Sequence, residues 1–123
     1  MAKKIIHSDK APAAIGPYSQ AVLVNGVLYV SGQIAADIAT TGPVRAEAHK
    51  VMENIGYILE AAGFTYADIV KASIFLKNMD DFAQINEVYG SYFKSDPPAR
   101  ETVQVAKLPK DVNVEISVIA VKS

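Results

Sequence analysis

The pattern of apolar and polar positions divides the chain into short strand-type runs and two helix-type runs. Apolar and polar residues alternate near the start, in the middle and over the last quarter, as in half-buried strands. Helical spacing of apolar residues is confined to two stretches, about Val44 to Ala62 and about Asp81 to Phe93. The pattern predicts one α+β domain over residues 1–123, with about six strands and two helices in the order ββ(β)αβαββ.

Strong turn signals bound the strands of the first third. Lys3–His7 is a short run that we expect to form an edge strand. Asn25-Gly26 separates the runs Ala21–Val24 and Val27–Ile34, and both turn residues tolerate the positive φ of a type I′ turn. We therefore predict a β-hairpin whose second strand ends in a small, polar group, Ser31-Gly32-Gln33.

The two predicted helices flank a further strand, Ile69–Lys77. The first helix ends before Gly63, a natural C′ residue. Glu47 and His49 fall on its predicted polar face. We interpret His49 as a solvated surface residue rather than a catalyst. Asn86 lies off the apolar stripe of the second helix, which carries Tyr89 and other aromatic residues toward the core.

The last quarter, Pro97 to Val121, predicts two strands joined by a short loop that contains a proline. If the two strands form a hairpin, Thr102 lies opposite Glu115, and Arg100 is its diagonal neighbour within side-chain reach. The predicted apolar face holds mostly valine and isoleucine, with Glu101 at its start. The other face collects polar residues, as a binding site does: Arg100, Thr102, Gln104, Asn113, Glu115 and Ser117.

Two helices cover only one face of a six-stranded sheet. The uncovered face is predicted to expose apolar residues such as Ile119 and Val121 beside the polar set. An exposed apolar patch usually belongs to an interface. We therefore expect a homo-oligomer that stacks sheet faces, with the polar set at or near the interface.

Composition narrows the function class. The net charge is −1 and no block of like charges occurs, so a nucleic-acid-binding surface is not expected. The absence of cysteine excludes disulfides and thiol nucleophiles. His7 and His49 lack metal-ligand spacing, so no metal site is expected. No apolar run reaches membrane-spanning length and the start lacks the core of a signal peptide, so we expect a cytoplasmic protein.

Four segments, in order and covering almost the whole chain, resemble the reactive-intermediate deaminase family (RidA, YjgF-type proteins). They are IGPYSQAV, LYVSGQI, DFAQINEVYGSYF and PPAR…VQVAKLPKDVNVEISVIAV. The resemblance implies a chorismate-mutase-like fold, with a mixed six-stranded sheet, two helices on one face, and a homotrimeric barrel whose clefts lie between subunits. It implies hydrolysis of 2-imino acids and their enamine tautomers to 2-keto acids and ammonia. Pyridoxal-phosphate dehydratases release such intermediates.

The resemblance also assigns roles to individual residues. Arg100 in PPAR matches the arginine that holds the substrate carboxylate, and Glu115 in VNVEI matches the glutamate that positions water. Thr102 occupies a position whose backbone N–H contacts the carboxylate. Residues that line the pocket in the family match Tyr18, Ser31 and Asn86.

This sequence departs from the family pattern at two places. The stretch IAADIATTGPVRAEAH is several residues shorter than usual, which bears on one pocket wall or a subunit contact. Glu101 stands where a small residue is usual. Alternation places Glu101 on the opposite face from Arg100, so we expect little effect on the site.

The expected chemistry needs few groups. A guanidinium binds a carboxylate through two parallel hydrogen bonds, and a glutamate orients water or passes a proton to departing ammonia. Imines already hydrolyse in water, so positioning and one acid–base group suffice without metal or cofactor. From the pattern alone, Arg100 and Glu115 are equally well explained as a cross-strand ion pair. The alternative function is a non-catalytic regulator that binds 2-keto acids; ribonuclease activity is disfavoured by the near-neutral charge.

Overall fold

Six strands form one sheet in the computed structural model, which describes residues 2–122. In chain order they are β1 (Lys4–Ile6), β2 (Ala21–Val24), β3 (Val27–Gln33), β4 (Ile69–Leu76), β5 (Ala99–Gln104) and β6 (Val114–Val121). Their order across the sheet is β1-β2-β3-β6-β4-β5. Only the β4–β5 pair is parallel, so the sheet is mixed as predicted, and β1 is an edge strand as expected.

Both long helices form where apolar spacing predicts them and pack on one face of the sheet. They are α2 (Val44–Ala61) and α3 (Phe82–Gly90). A single helical turn, α1 (Ala36–Ala39), precedes them and was not predicted, because one turn is too short to show a helical period in the sequence. None of the helices within residues 2–122 has the length and apolar character needed to cross a bilayer.

The core lies between α2 and the central strands. Its fully buried side chains include Val51, Met52, Ile55, Ile58 and Leu59 of α2, Ile74 and Leu76 of β4, and Val114 and Ile116 of β6. Burying large aliphatic side chains contributes roughly 1.5–3 kcal/mol each, so this layer is the main source of stability.

The predicted turns are confirmed. Asn25 and Gly26 have φ values of 52° and 78°, as a type I′ turn requires. Gly63, with φ of 80°, follows the C-terminal residues of α2. The Gly26 carbonyl also accepts a hydrogen bond of 2.9 Å from the Lys122 N–H, which ties the hairpin to the end of β6.

The predicted hairpin of β5 and β6 is wrong, because β4 lies between them. Helix α3 connects β4 to β5 as a crossover, and such a connection places consecutive strands in parallel. Residues 105–113 then carry the chain past the end of β4 to its other side. Alternation indicates strands but does not show which strands are neighbours.

The face assignment of β5 is also wrong. Arg100 pairs with the buried Ala72, which pairs with the buried Val118, so Arg100 lies on the helix-covered face. Thr102 is on that same face. Glu115 pairs with Phe75 on the open face. Arg100 and Glu115 of one chain are therefore on opposite faces of the sheet and are not diagonal neighbours.

Glu101 does point away from Arg100, as expected. It pairs with Ser73 on the open face, where Lys71 Nζ lies 3.0 Å from a Glu101 carboxylate oxygen. The Ser73 hydroxyl donates a hydrogen bond to the other carboxylate oxygen. These two partners lower the pKa of Glu101, the Ser73 hydrogen bond most. Glu101 is therefore held by Lys71 and Ser73 on the open face, away from Arg100.

The open face of the sheet is largely apolar, as predicted. Tyr29 is 48% exposed and Val103 is 43% exposed, and neighbouring residues on this face include Ile5, Val22, Val24, Val27, Phe75, Ile119 and Val121. No helix of the described chain covers it. The expectation of an uncovered sheet face is confirmed.

We predict that Gly26→Ala destabilises the fold by on the order of 1–3 kcal/mol. A Cβ at Gly26 would lie too close to the Lys122 carbonyl oxygen, and φ is positive there. Urea unfolding checks this. The control is Gly90→Ala, since a Cβ at Gly90 meets nothing within 4 Å and its φ is not positive. Equal stability of the two variants would contradict the tight approach of β6 to the turn.

Candidate functional site

A groove of about 1000 Å³ opens where β3 and β6 separate at one end of the sheet. Three predicted site residues, Tyr18, Ser31 and Glu115, line it. The end of β3, the loop before β2, the start of α1, one face of α2 and the connection between β5 and β6 form its other walls. The lining residues of these walls are Lys10, Ala11, Pro12, Ala13, Ile15, Gln20, Gly32, Gln33, Ile34, Ala36, Asp37, Lys50, Asn54, Pro109 and Lys110. This groove is the first part of the candidate site.

Ser31 is held where the β3–β6 register is interrupted. Val30 pairs with Val118, but the next pair joins Gln33 to Ile116, so β3 has one extra residue and bulges. The Ser31 hydroxyl donates a hydrogen bond of 2.6 Å to the Ser19 carbonyl. The Gln33 amide donates one of 3.1 Å to the Ser31 carbonyl. The bulge thus has a fixed shape.

The loop that carries Tyr18 is anchored by a buried glutamine. The Gln20 side chain accepts a hydrogen bond of 2.7 Å from the Ser8 N–H and donates to the Ser8 and Pro12 carbonyls. Tyr18 itself is 54% exposed, so it is not a core aromatic. Gln20 fixes the loop, and Tyr18 projects from it at the groove.

The Glu115 carboxyl packs against the backbone of Gly32. A Cβ at position 32 would collide with it, so glycine is needed for this approach. Burial raises the pKa of Glu115, because desolvation disfavours the charged form. The groove therefore holds a carboxyl group that takes up a proton more readily than an exposed glutamate.

Arg100, Asn86 and Thr102 form the second part of the candidate site, at β5 and α3. Arg100 donates a hydrogen bond to the Asn86 side-chain oxygen. Its guanidinium carbon lies 5.6 Å from the ring centre of Phe82 and 5.4 Å from that of Tyr89. These contacts hold an exposed guanidinium in place through cation–π attraction and one hydrogen bond.

The backbone of β5 presents donors beside Arg100. Strand β5 is an edge strand of the sheet. The Val105 N–H, just after β5, donates a hydrogen bond to the Leu76 carbonyl of β4. Because ladder bonds alternate along a strand, the N–H of Thr102 points away from β4 toward the free edge. Thr102 Oγ1 is buried, and no partner for it lies within residues 2–122. A guanidinium and an outward backbone N–H are suited to binding a carboxylate.

One chain keeps the two parts of the site separate. Glu115, Phe75 and Val103 lie side by side on three adjacent strands, and Arg100 is three residues before Val103. Strand spacing and rise then put the Arg100 and Glu115 backbones roughly 14 Å apart. The two side chains also point to opposite faces.

Comparison with known proteins identifies the family. A family model described as Endoribonuclease L-PSP matches residues 8–122. Protein DfrA of Myxococcus xanthus is 53% identical, covering 98% of this chain and 97% of its own. A 2-iminobutanoate/2-iminopropanoate deaminase of Bos taurus is 50% identical, covering 99% of this chain and 92% of its own. The crystal structure of E. coli TdcF with bound serine has a TM-score of 0.89 and 43% identity, covering 98% of this chain and 99% of that chain.

The chain belongs to the Endoribonuclease L-PSP family. This confirms the resemblance to RidA and YjgF-type proteins and the implied α+β fold of the single chain, a mixed six-stranded sheet with two helices on one face. In this L-PSP/RidA chain all six predicted site residues fall into one of the two parts, and none joins both. Within residues 2–122, no cluster of three or more His, Asp or Glu side chains is placed to hold a metal ion.

Several residues that shape the site were not predicted from the sequence. Gln20 and Gly32 lie inside recognised motifs, but nothing in the pattern shows that one anchors the loop or that the other faces Glu115. Phe82 and Tyr89 were recognisable as members of the α3 stripe, and their spacing from Asn86 (four and three residues) is the signal that could have linked them to it. His49 is exposed, as predicted, and lies beside Tyr92.

We predict that Glu115→Gln is more stable than the wild type near about pH 8 and equally stable near about pH 4. A folded-state pKa above the ordinary 4.5 means that the carboxyl favours folding while protonated. That contribution is complete below 4.5 and is lost as pH rises through the raised pKa. Urea unfolding across this pH range measures the difference.

The control is Glu53→Gln, which removes an exposed glutamate of α2 and is not expected to show such a gain. If Glu115→Gln were no more stable at the high end of the range, some other charge would have to compensate the buried carboxylate.

Proposed function

We propose that this protein is a deaminase that hydrolyses small 2-imino acids and their enamine tautomers, such as 2-iminobutanoate and 2-iminopropanoate, to 2-keto acids and ammonia. The observation that carries the proposal is the near full-length similarity to the bovine 2-iminobutanoate/2-iminopropanoate deaminase. The positions of Arg100 and Glu115 support it, since each is placed for one half of the chemistry. Pyridoxal-phosphate dehydratases are the proposed source of the substrate.

We propose further that the working site forms between copies of the chain. Arg100 and Glu115 lie on opposite faces of one sheet, so one small substrate cannot touch both within a chain. The open apolar face needs a cover, and a second copy supplies one. In a homotrimer, the β5 edge of one copy then meets the groove of the next, and the two parts complete each other.

Arg100 binds the substrate carboxylate in this proposal. Its planar guanidinium gives two parallel charge-assisted hydrogen bonds, and the outward N–H of Thr102 adds a third donor. Asn86, Phe82 and Tyr89 hold the guanidinium before substrate arrives, which reduces the entropy lost on binding. The carboxylate is thereby fixed with the C=N carbon toward the groove.

Glu115 acts on the water. The imine reacts in its protonated iminium form: the Glu115 carboxylate takes a proton from water as the oxygen adds to the C=N carbon, and the C=N electron pair moves to nitrogen, giving a neutral tetrahedral carbinolamine. The glutamic acid then passes its proton to the amino group, the C–N bond breaks as the C=O bond forms, and the hydroxyl proton leaves with ammonia as ammonium, which releases the 2-keto acid. A raised pKa suits this double role, since the carboxyl must accept and return a proton near neutral pH.

The direct test generates 2-aminoacrylate or 2-aminocrotonate with a dehydratase and follows the loss of the intermediate. Addition of this protein is expected to accelerate the loss and the release of ammonia. Unchanged decay together with tight binding of 2-ketobutyrate would instead support the non-catalytic regulator. Ammonia release with a matching yield of 2-keto acid distinguishes hydrolysis from simple trapping of the intermediate.

We predict that Arg100→Ala lowers kcat/KM roughly 30–150-fold, because losing a charged hydrogen-bond donor removes about 2–3 kcal/mol of transition-state binding. Arg45→Ala is the matched control. Arg45, like Arg100, has one side-chain oxygen partner, Glu87 at 2.6 Å, but Arg45 does not line the groove and is not among the contacts of Arg100. Full activity of Arg100→Ala would show that the carboxylate is held elsewhere.

A further inference from the structure

We propose that Glu47 is a positioning residue that fixes Glu115 for its role in the proposed reaction, and this inference rests on the proposed function. Glu47 lies in the first turn of the groove-side helix α2 and is fully buried. The prediction that it lies on a polar, solvated face is therefore wrong. No role in the chemistry of the groove requires Glu47 itself to touch the substrate.

The Glu47 carboxylate accepts three hydrogen bonds from the segment that leads into Glu115. One oxygen accepts from the Asn113 backbone N–H at 2.9 Å and from the Val114 N–H at 3.3 Å. The other accepts from the Asn113 side-chain amide at 2.7 Å. The next residue along the chain is Glu115, so the carboxylate fixes the backbone immediately before the catalytic carboxyl.

The same segment ties other walls of the groove to Glu47. The Asn113 carbonyl accepts a hydrogen bond of 3.0 Å from the Lys77 N–H, at the end of β4. The Asn113 amide also donates to the Ala39 carbonyl of α1, at 3.4 Å. One buried carboxylate thus sets the relative positions of α1, α2 and the start of β6.

A carboxylate suits this place because it offers two acceptor oxygens and no donor. An apolar side chain would leave the two backbone N–H groups without this acceptor and would leave the Asn113 side-chain amide only its 3.4 Å bond to the Ala39 carbonyl. Each unsatisfied buried donor is costly. None of the ion pairs within residues 2–122 includes Glu47, so N–H dipoles alone compensate its charge. Such a group is unusual in a core, because buried carboxylates are normally paired with cations.

The test compares Glu47→Leu with Glu47→Gln. Leucine fills similar space but accepts no hydrogen bond. Glutamine keeps one oxygen, which can accept from the two backbone N–H groups. Its own amide nitrogen can donate to the Asn113 side-chain oxygen once the Asn113 amide group rotates to exchange its oxygen and nitrogen. Glu53→Gln, on the exposed side of the same helix, is the matched control.

We expect Glu47→Leu to lower kcat roughly 10–100-fold per folded molecule, since misplacing a catalytic group by about 1 Å has effects of this size. KM should change less than about threefold, because Arg100 binds the carboxylate from another strand and the other face. Glu47→Gln should retain kcat within about threefold. Titration of the ¹³C-labelled Glu115 carboxyl should show its raised pKa in the wild type and in Glu47→Gln, and a lower pKa in Glu47→Leu.

A folded Glu47→Leu protein with unchanged kcat and an unchanged Glu115 titration would overturn the inference. If that variant does not fold, Asn113→Ala decides instead, because it removes the side-chain link and keeps both backbone bonds. A kcat and a Glu115 titration equal to wild type in Asn113→Ala would then overturn it. Wild-type protein without deaminase activity would sink the proposed function alone, while the Glu115 titration would still test the positioning by Glu47.

Discussion

The position of β4 between β5 and β6 governs how this protein can function. This strand order places Arg100 on the helix-covered face at the edge of the sheet. It places Glu115 on the open face, beside the β3 bulge. Each residue is well held in its own surroundings, Arg100 by α3 and Glu115 against Gly32. Two separate groups of candidate site residues and one uncovered apolar face support the proposal that copies of the chain assemble to form the site.

The parts of the fold that depend on local signals were predictable from the sequence. The Asn25-Gly26 turn, both long helices and all six strands follow from periodicity and turn chemistry. The strand order was not, because alternation along β5 and β6 is the same whether they are neighbours or are separated by another strand. The helix between β4 and β5 implied that these strands pair in parallel. That signal was overlooked because the alternation over the last quarter of the chain also fits a hairpin.

The site shows the same division. Family motifs pointed to six site residues, and the structure brings them together in two groups of three. The supporting contacts were beyond the sequence. The sequence alone does not distinguish a buried glutamate from an exposed one. Glu47 can be buried because three N–H donors reach its carboxylate from a segment 66 residues away. Burial of a charge is a tertiary property, since it is tolerated only where distant backbone groups converge.

The most direct test of a site shared between copies is complementation between Arg100→Ala and Glu115→Gln, each expected to be nearly inactive alone. Equal amounts are unfolded together and reassembled, with native mass spectrometry to confirm mixed trimers. If each site takes Arg100 from one copy and Glu115 from the next, random mixing restores about a quarter of the sites of a cyclic trimer. Activity near about one quarter of wild type is therefore predicted. Mixed trimers without regained activity would contradict the shared site.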